Sequence, residues 1–335
     1  MGHANTVSRR RLLRGLACAG VIGVVPPGRD TPRAEPAEGL TLWGIPATPS
    51  VVLARAVASG MLDEVSPGVV LDSWKSTDQM RAGIASGEFQ LFATSTYAAA
   101  NFFNRGAGTT MINVVSWGVL YVMARDESIT RIEDLAGRHV LLSNKNEAPD
   151  LLFRLVLTWS GLDPDNDLQL DYVGSPGEAV PLYLNGRGDV AVLHEPAATA
   201  ALARAAKAGL PIKRAIDVTE TYGQHTGRGA RIPQVGLAAN AAFLDAHADV
   251  VAAVHAACVE AGTWVLENPD MAGALASLTL PLPAPVIAKS VPNIHLDVVS
   301  AREARADIDI YFKHLMSLDP GIVGGGLPHP AFYWG

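Results

Sequence analysis

The sequence predicts a two-lobed α/β protein, each lobe a sheet flanked by helices, the two joined by a two-segment hinge. Three observations lead there. Short β-rich runs alternate with longer helix-like ones from Leu40 onward, the pattern of an α/β chain. The order and punctuation of the elements between residues 40 and 106 recur about 100 residues later. The last hundred residues then read as helical, which is too little for a third α/β unit.

Taken in order, Thr41–Ile45 is an apolar run bounded by Pro46 and Pro49, a strand entering a loop. Val51–Ala58 follows as a helix that stops at Gly60, and Val69–Trp74 as a second strand. Thr77–Ala85 is a helix ending near Gly87, Gln90–Ala93 a third strand, and Tyr97–Phe103 a helix stopped by Gly106. In the second half Val140–Leu142 is a strand, Ser143–Asn146 a polar loop and Pro149–Trp159 a helix, with Gly161-Leu162 echoing Gly60-Met61. Leu170-Asp171 matches Leu71-Asp72 at an offset of 99, and Ser175 and Gly186 match Ser76 and Gly87 at the same offset. The strand Val190–Leu193 falls opposite Gln90–Ala93, and Ala197-Ala198 opposite Ala98-Ala99. Agreement of order, spacing and punctuation points to two similarly built lobes rather than one larger doubly wound domain.

Val114–Ala124 reads as one strand-like run leaving the first half, Ile129–Gly137 as a short helix before the second, and Pro233–Ala239 as a strand-like run leaving it. Beyond lie helical segments, Phe243–Val265 and Asp270–Leu278, with Asn268-Pro269 between and Asp245 and Asp270 as candidate caps. Helices with no strand of their own pack back on the first lobe. The expected division is residues 38–118 with 238–335 in lobe one and 119–237 in lobe two, hence two crossings and a hinge. The tail, from Gly324-Gly325-Gly326 to Phe332-Tyr333-Trp334, lacks periodicity and is expected to lie across a surface.

Composition excludes several classes. The 335 residues are 49% hydrophobic, 18% charged and 6% aromatic, too apolar for a disordered chain. No uncharged apolar run of 18 residues follows residue 40, which excludes a polytopic membrane protein, and two cysteines exclude a disulfide scaffold. The net charge of −7 argues against a nucleic-acid partner. That charge is uneven. Residues 1–37 hold six arginines against two acids, and Ser8-Arg9-Arg10-Arg11 precedes the uncharged stretch Gly15–Val25 and Pro26-Pro27. This is an export signal of twin-arginine type, too short in its apolar part to span a bilayer. Lipidation at Cys18 is disfavoured by Gly15, and no clean cleavage site stands before Leu40. Without residues 1–37 there remain 20 basic and 31 acidic residues, a charge of −11, and one thiol, Cys258.

In open α/β sheets ligands bind outside the carboxyl ends of the strands, where helix N-termini supply backbone donors. That rule selects six loops: Ala47-Thr48-Pro49-Ser50, Lys75-Ser76-Thr77 and Thr94-Ser95-Thr96-Tyr97 in lobe one, and Ser143-Asn144-Lys145-Asn146, Ser175-Pro176-Gly177-Glu178 and His194-Glu195-Pro196 in lobe two. The ligand-binding candidates are therefore Thr48, Ser50, Trp74, Lys75, Ser76, Thr94, Ser95, Tyr97, Trp117, Ser143, Asn144, Asn146, Ser175, His194 and Glu195. Trp74, Tyr97 and Trp117 could stack on a ligand or pack its carbon skeleton. Lys75 and Lys145 could neutralise an anion, whereas Glu147, Glu178 and Glu195 could receive donors from an amine, so the ligand's charge stays open.

Catalytic patterns are sparse. Cys258 and His255 share a face of the Ala-rich segment Val250–Gly262, an apolar stripe that suits a buried thiol rather than a nucleophile. The nine histidines form no H-E-x-x-H, there is no G-x-S-x-G, P-loop or nucleotide-binding turn, and neither a metal nor a cofactor is expected. His194 and Glu195 are the one pair worth testing as acid and base, and ligand binding is the stronger reading there.

The chain resembles the periplasmic solute-binding proteins of ABC importers, in the branch that includes nitrate, taurine, aliphatic-sulfonate and thiamine-pyrimidine binders. Ile132–Val140 is similar to that family's "DLKGKKV" run, Gly186–Pro196 resembles its "G-x-V-D-A" strand with an acid and a proline after it, and Phe243–Pro269 resembles its helical segment ending in "ENP". The resemblance implies a type II-like periplasmic-binding-protein fold, a permease and an ATPase as partners, a monomer, and no chemistry of its own. It puts lobe two's ligand loop on Ser143–Asn146, where Asn144-Lys145-Asn146 departs from the Gly-Ser-Ser of sulfonate binders. Trp74, Tyr97 and Glu195 could imitate the aromatics and carboxylate of pyrimidine binders. An enzyme on the same fold and a ligand sensor remain alternatives.

Overall fold

The computed structural model describes Ala37 and residues 39–335. The expected export signal, with its arginine run and Cys18, lies outside the described residues. Along the chain the first group is β1 (Thr41–Gly44), α1 (Val51–Ala58), β2 (Val70–Ser73), α2 (Thr77–Ser86), β3 (Leu91–Ser95), α3 (Thr96–Asn104), β4 (Thr109–Met111) and β5 (Asn113–Ser116). Next come β6 (Leu120–Ala124), β7 (His139–Ser143), α4 (Ala148–Trp159), β8 (Gln169–Val173), α5 (Pro176–Leu184), β9 (Val190–His194), α6 (Ala197–Ala208), β10 (Lys213–Asp217) and α7 (Val218–Thr226). The chain closes with β11 (Val235–Asn240), α8 (Ala241–Ala246), α9 (Ala248–Glu267), α10 (Pro269–Ala276), α11 (Ala284–Ser290), β12 (Leu296–Ser300) and α12 (Arg305–Leu318).

These strands form two sheets, as the α/β pattern predicts. Sheet one has seven strands, in order β12-β5-β11-β3-β1-β2 with β4 beside β11, and sheet two has five, β10-β6-β9-β7-β8. In each, three parallel strands connected by helices lie in the same order, and an antiparallel strand runs beside the third: β11 against β3, β6 against β9. The residues matched at an offset of 99 hold equivalent places. Leu71 pairs with Leu42 on β1 and Leu170 with Val140 on β7. Ser76 caps α2 and Ser175 caps α5. Gly87 and Gly186 both take positive φ, 78° and 91°, where a side chain would be strained.

Val114–Ala124 is not one strand. It breaks at Trp117-Gly118-Val119 into β5 of sheet one and β6 of sheet two, and the break is the first crossing. Gly118 passes so close to α7 that a Cβ there would sit 2.2 Å from Thr219 Oγ1. Residues 227–234 make the second crossing and lie against the first, with Ile232 N–H donating to Trp117 O at 2.7 Å and Gln234 N–H to Ser116 O at 3.0 Å.

The C-terminal part departs from the helical expectation. Residues 243–265 form two helices, because the chain turns at His247 (φ −134°). β12 follows α11 and adds to the edge of sheet one, antiparallel to β5. The tail does more than lie on a surface: Phe332 is buried, and Tyr333 bridges Met111 on β4.

One face of sheet one packs Leu42, Leu91 and Leu237 against Val251, Val254 and Cys258 of α9, and Cys258 is fully buried, its thiol pushed up to about 12 by desolvation. The other face, through Trp43, Phe89 and Phe92, joins a core that continues via Tyr311 and Phe312 of α12 into Val140, Leu152 and Phe153 of lobe two. α12 thus straddles the lobes, and Tyr222 of α7 meets its His314 Nδ1 at 2.8 Å.

Candidate functional site

A cavity of about 820 Å³ opens where the parallel strands of both sheets end. Lobe one contributes Ile45, Pro46 and Pro49 after β1, Trp74 after β2, and Thr94, Ser95 and Tyr97 at the β3–α3 junction. Lobe two contributes Asn144, Asn146 and Glu147 between β7 and α4, and His194 and Glu195 at the end of β9. This position follows from the parallel triplets, whose carboxyl ends face one another across the crossings.

The local geometry explains how each group is presented. Trp74 donates its indole N–H to Ala93 O at 3.0 Å, which ties the ring to β3. Asn144 and Asn146 both take left-handed φ, 61° and 62°, a conformation asparagine tolerates better than most side chains. Buried Asp150 holds that loop, accepting from Asn146 N–H at 2.8 Å and from the Tyr172 hydroxyl at 2.8 Å, with Arg154 Nε at 3.3 Å. Across the cavity Tyr97 donates its hydroxyl to Glu147 Oε2 at 2.7 Å. Burial, followed by the nearby Glu147 charge, pushes the Tyr97 hydroxyl well above its ordinary range, so it stays a donor.

The side chains of His194 and Glu195 turn to different partners. His194 Nδ1 lies 3.0 Å from the backbone oxygen of Glu195, which can only accept, so Nδ1 carries the proton and Nε2 is left an acceptor. Burial lowers the imidazole's pKa and keeps the ring neutral. The Glu195 carboxylate is buried and turned to Arg214, whose Nε donates to Oε1 at 3.0 Å, while Thr199 N–H donates to Oε2 at 3.2 Å. Burial pushes this carboxyl up, and Arg214 and Thr199 oppose that shift.

Of the residues expected from sequence, the structure brings Trp74, Thr94, Ser95, Tyr97, Asn144, Asn146, His194 and Glu195 to the cavity wall. It does not bring the others. Thr48 is buried against Ser290 at 2.7 Å, and Ser50 donates to Ile45 O at 2.7 Å. Ser76 and Ser175 point back to cap α2 and α5, accepting from Gln79 N–H at 3.1 Å and Glu178 N–H at 3.2 Å. Lys75 is exposed outside the wall, and Ser143 is buried with its hydroxyl on Asn144 at 2.8 Å. Trp117 belongs to the first crossing: its indole donates to Asp297 O at 2.7 Å and the Arg231 guanidinium lies 3.6 Å over the ring. Met80, Ile84, Phe102, Gln234 and Tyr311 line the cavity without having been expected. The spacing of Thr77, Met80 and Ile84 along one face of α2 was a usable signal; Tyr311 came from a helix that sequence reasoning had not found.

Residues 64–226 match the family model described as an ABC transporter, phosphonate, periplasmic substrate-binding protein. No curated protein matches the chain in sequence. Among solved structures, an ABC transporter from Parabacteroides distasonis superposes with a TM-score of 0.70 at 20% identity, covering 88% of this chain and 97% of its own. The periplasmic aliphatic sulphonate binding protein SsuA of Escherichia coli gives 0.67 at 18% identity, covering 89% and 99%. The periplasmic nitrate-binding protein NrtA of Synechocystis gives 0.63 at 13%, covering 85% and 82%. Likeness at such identities shows a shared fold, two sheets flanked by helices over nearly the whole of each chain.

Proposed function

We infer that the chain works as its family match and fold indicate, as the substrate-binding component of an ABC importer: it captures a small organic solute or oxyanion between its lobes and delivers it to a membrane permease and ATPase. The observation that carries this reading is a single cavity walled by strand ends of both lobes, with Tyr97 of one lobe hydrogen-bonded to Glu147 of the other. A ligand touching both walls favours the closed arrangement, because it binds that arrangement better than the open one. In this reading Trp74 and Tyr97 pack the ligand's body, Thr94, Ser95, Asn144 and Asn146 hydrogen-bond its polar groups, and His194 Nε2 accepts. Glu195 acts through Arg214, positioning the end of β9 rather than meeting the ligand.

The same arrangement supports binding over catalysis, since the Glu195 carboxylate is taken up by Arg214 and Thr199 and His194 Nδ1 by a backbone oxygen. We read the protein as a monomer without a cofactor, exported to the periplasm by the twin-arginine signal at Ser8–Arg11. Native mass spectrometry of the mature protein tests the assignment, since a captured solute survives as a mass increment that denaturation removes. Trp74→Ala should weaken binding of that solute at least tenfold by calorimetry, about 1.4 kcal/mol. Unchanged affinity in that variant moves the site out of this cavity.

A further inference from the structure

We propose that Tyr311 of α12 is a further ligand-contacting residue of this cavity, its hydroxyl donating to an acceptor atom of the bound solute. The proposal rests on the binding reading above and adds to it a third part of the chain, besides the strand ends of the two lobes, that holds the solute.

α12 follows β12 of sheet one and packs on α4. Its buried residues are Ile308, Tyr311, Phe312 and Leu315, the spacing of a core stripe on one helix face. Three of the four are fully apolar. The phenol of Tyr311 is out of keeping there, because a buried hydroxyl without a hydrogen bond costs free energy that phenylalanine would not. One turn further on, His314 Nδ1 meets the Tyr222 hydroxyl at 2.8 Å, and its ring lies edge-on to Trp159 with centroids 5.0 Å apart. Those contacts pin α12 to α4 and α7 and hold Tyr311 on the cavity wall.

Among the described residues, the buried side chains with a polar group on that wall are Thr94, Glu195 and Tyr311. Glu195 is committed to Arg214 and Thr199. The Thr94 and Tyr311 hydroxyls have no hydrogen-bond partner among the described residues. Thr94 ends a parallel strand, where a ligand group is expected; Tyr311 belongs to no such strand. It is 2% exposed, yet its oxygen is not sealed in the core as the orphaned Tyr183 hydroxyl is, so it opens on the cavity. The other large aromatics there have their polar atoms taken: the Tyr97 hydroxyl by Glu147, the Trp74 indole by Ala93 O. Burial, followed by the nearby Tyr97 and Tyr222 hydroxyls, pushes the Tyr311 hydroxyl well above its ordinary range, so it meets a ligand as a neutral donor. A solute that accepts this hydrogen bond supplies the partner that the chain does not.

The test compares Tyr311→Phe, which keeps the ring and removes only the oxygen, with Tyr222→Phe, which removes a hydroxyl that has a partner in the chain and lies off the wall. A thermal-shift screen of the full chain against methylphosphonate, butanesulfonate, taurine, nitrate and 4-aminopyrimidine selects the probe, and calorimetry of the tightest binder follows on both variants. Tyr311→Phe is expected to weaken binding about tenfold while its ligand-free melting temperature stays level or rises. Tyr222→Phe is expected to do the reverse, lowering the melting temperature and leaving affinity as in wild type. Wild-type affinity in Tyr311→Phe, or an equal loss of affinity in the two variants, overturns the proposal and leaves the solute-binding reading standing. No binder to wild type in the panel counts against both.

Discussion

At the end of the third parallel strand the two lobes do the same thing with different residues. Thr96 in lobe one donates its backbone N–H to Gln234 O of the second crossing at 3.0 Å, and Glu195, 99 residues later, donates its own to Val119 O of the first at 2.8 Å. Each lobe is thus tied to the strand that arrives from the other. The side chains then diverge. The Thr96 hydroxyl donates to Pro233 O at 2.5 Å and stays uncharged, whereas Glu195 brings a buried carboxylate that Arg214, helped by the Thr199 N–H, makes tolerable. The backbone frame repeats, and charge was placed at this junction in lobe two alone.

The largest effect should come from breaking that asymmetry. Arg214→Met leaves the Glu195 carboxylate buried and unpaired, at a cost of about 3–5 kcal/mol in urea unfolding. Thr96→Val removes one neutral hydrogen bond and should cost about 1 kcal/mol. Equal losses in the two variants would mean that charge is not what distinguishes the junctions. A smaller loss, about 1–3 kcal/mol, is expected for Gly118→Ala at the first crossing, because the new methyl meets Thr219 Oγ1. Thr219 Oγ1 is buried without a partner among the described residues, so adding Thr219→Ala should restore part of the stability.

The smallest effect is a slope with pH. His295, just before β12, hydrogen-bonds Asp217 at the start of α7 at 2.9 Å, and that bond raises the imidazole's pKa against the opposing effect of burial, with Glu220 adding to the rise. A histidine pKa higher in the folded state contributes stability that is full below the unfolded value, about 6.5, and is lost as pH rises through the elevated one. Urea midpoints should therefore fall from mildly acidic to alkaline pH, and Asp217→Asn should flatten that fall.

Much of the frame was legible in sequence because its punctuation is local. Ser76 and Ser175 are helix caps and Gly87 and Gly186 are helix ends, roles set within a few residues. The missed elements depend on distant partners. Lys213–Asp217 is half polar and becomes a strand only because β6 lies beside it, and Leu296–Ser300 only because β5 does. The cavity shows the same limit. Strand-end position found Trp74, Asn144 and His194, but could not say that Ser76 and Ser175 turn back onto their own helices, that Trp117 is buried in a crossing, or that Glu195 faces Arg214 instead of the cavity.

The central claim is that one solute is gripped by both lobes at once. Hydrogen exchange of the full chain, with and without its tightest-binding solute, tests it at residues 94–98 and 144–149. Exchange should slow in both segments together and at the same ligand concentration. Slowing confined to one lobe, or absent from both at saturation, would contradict the account.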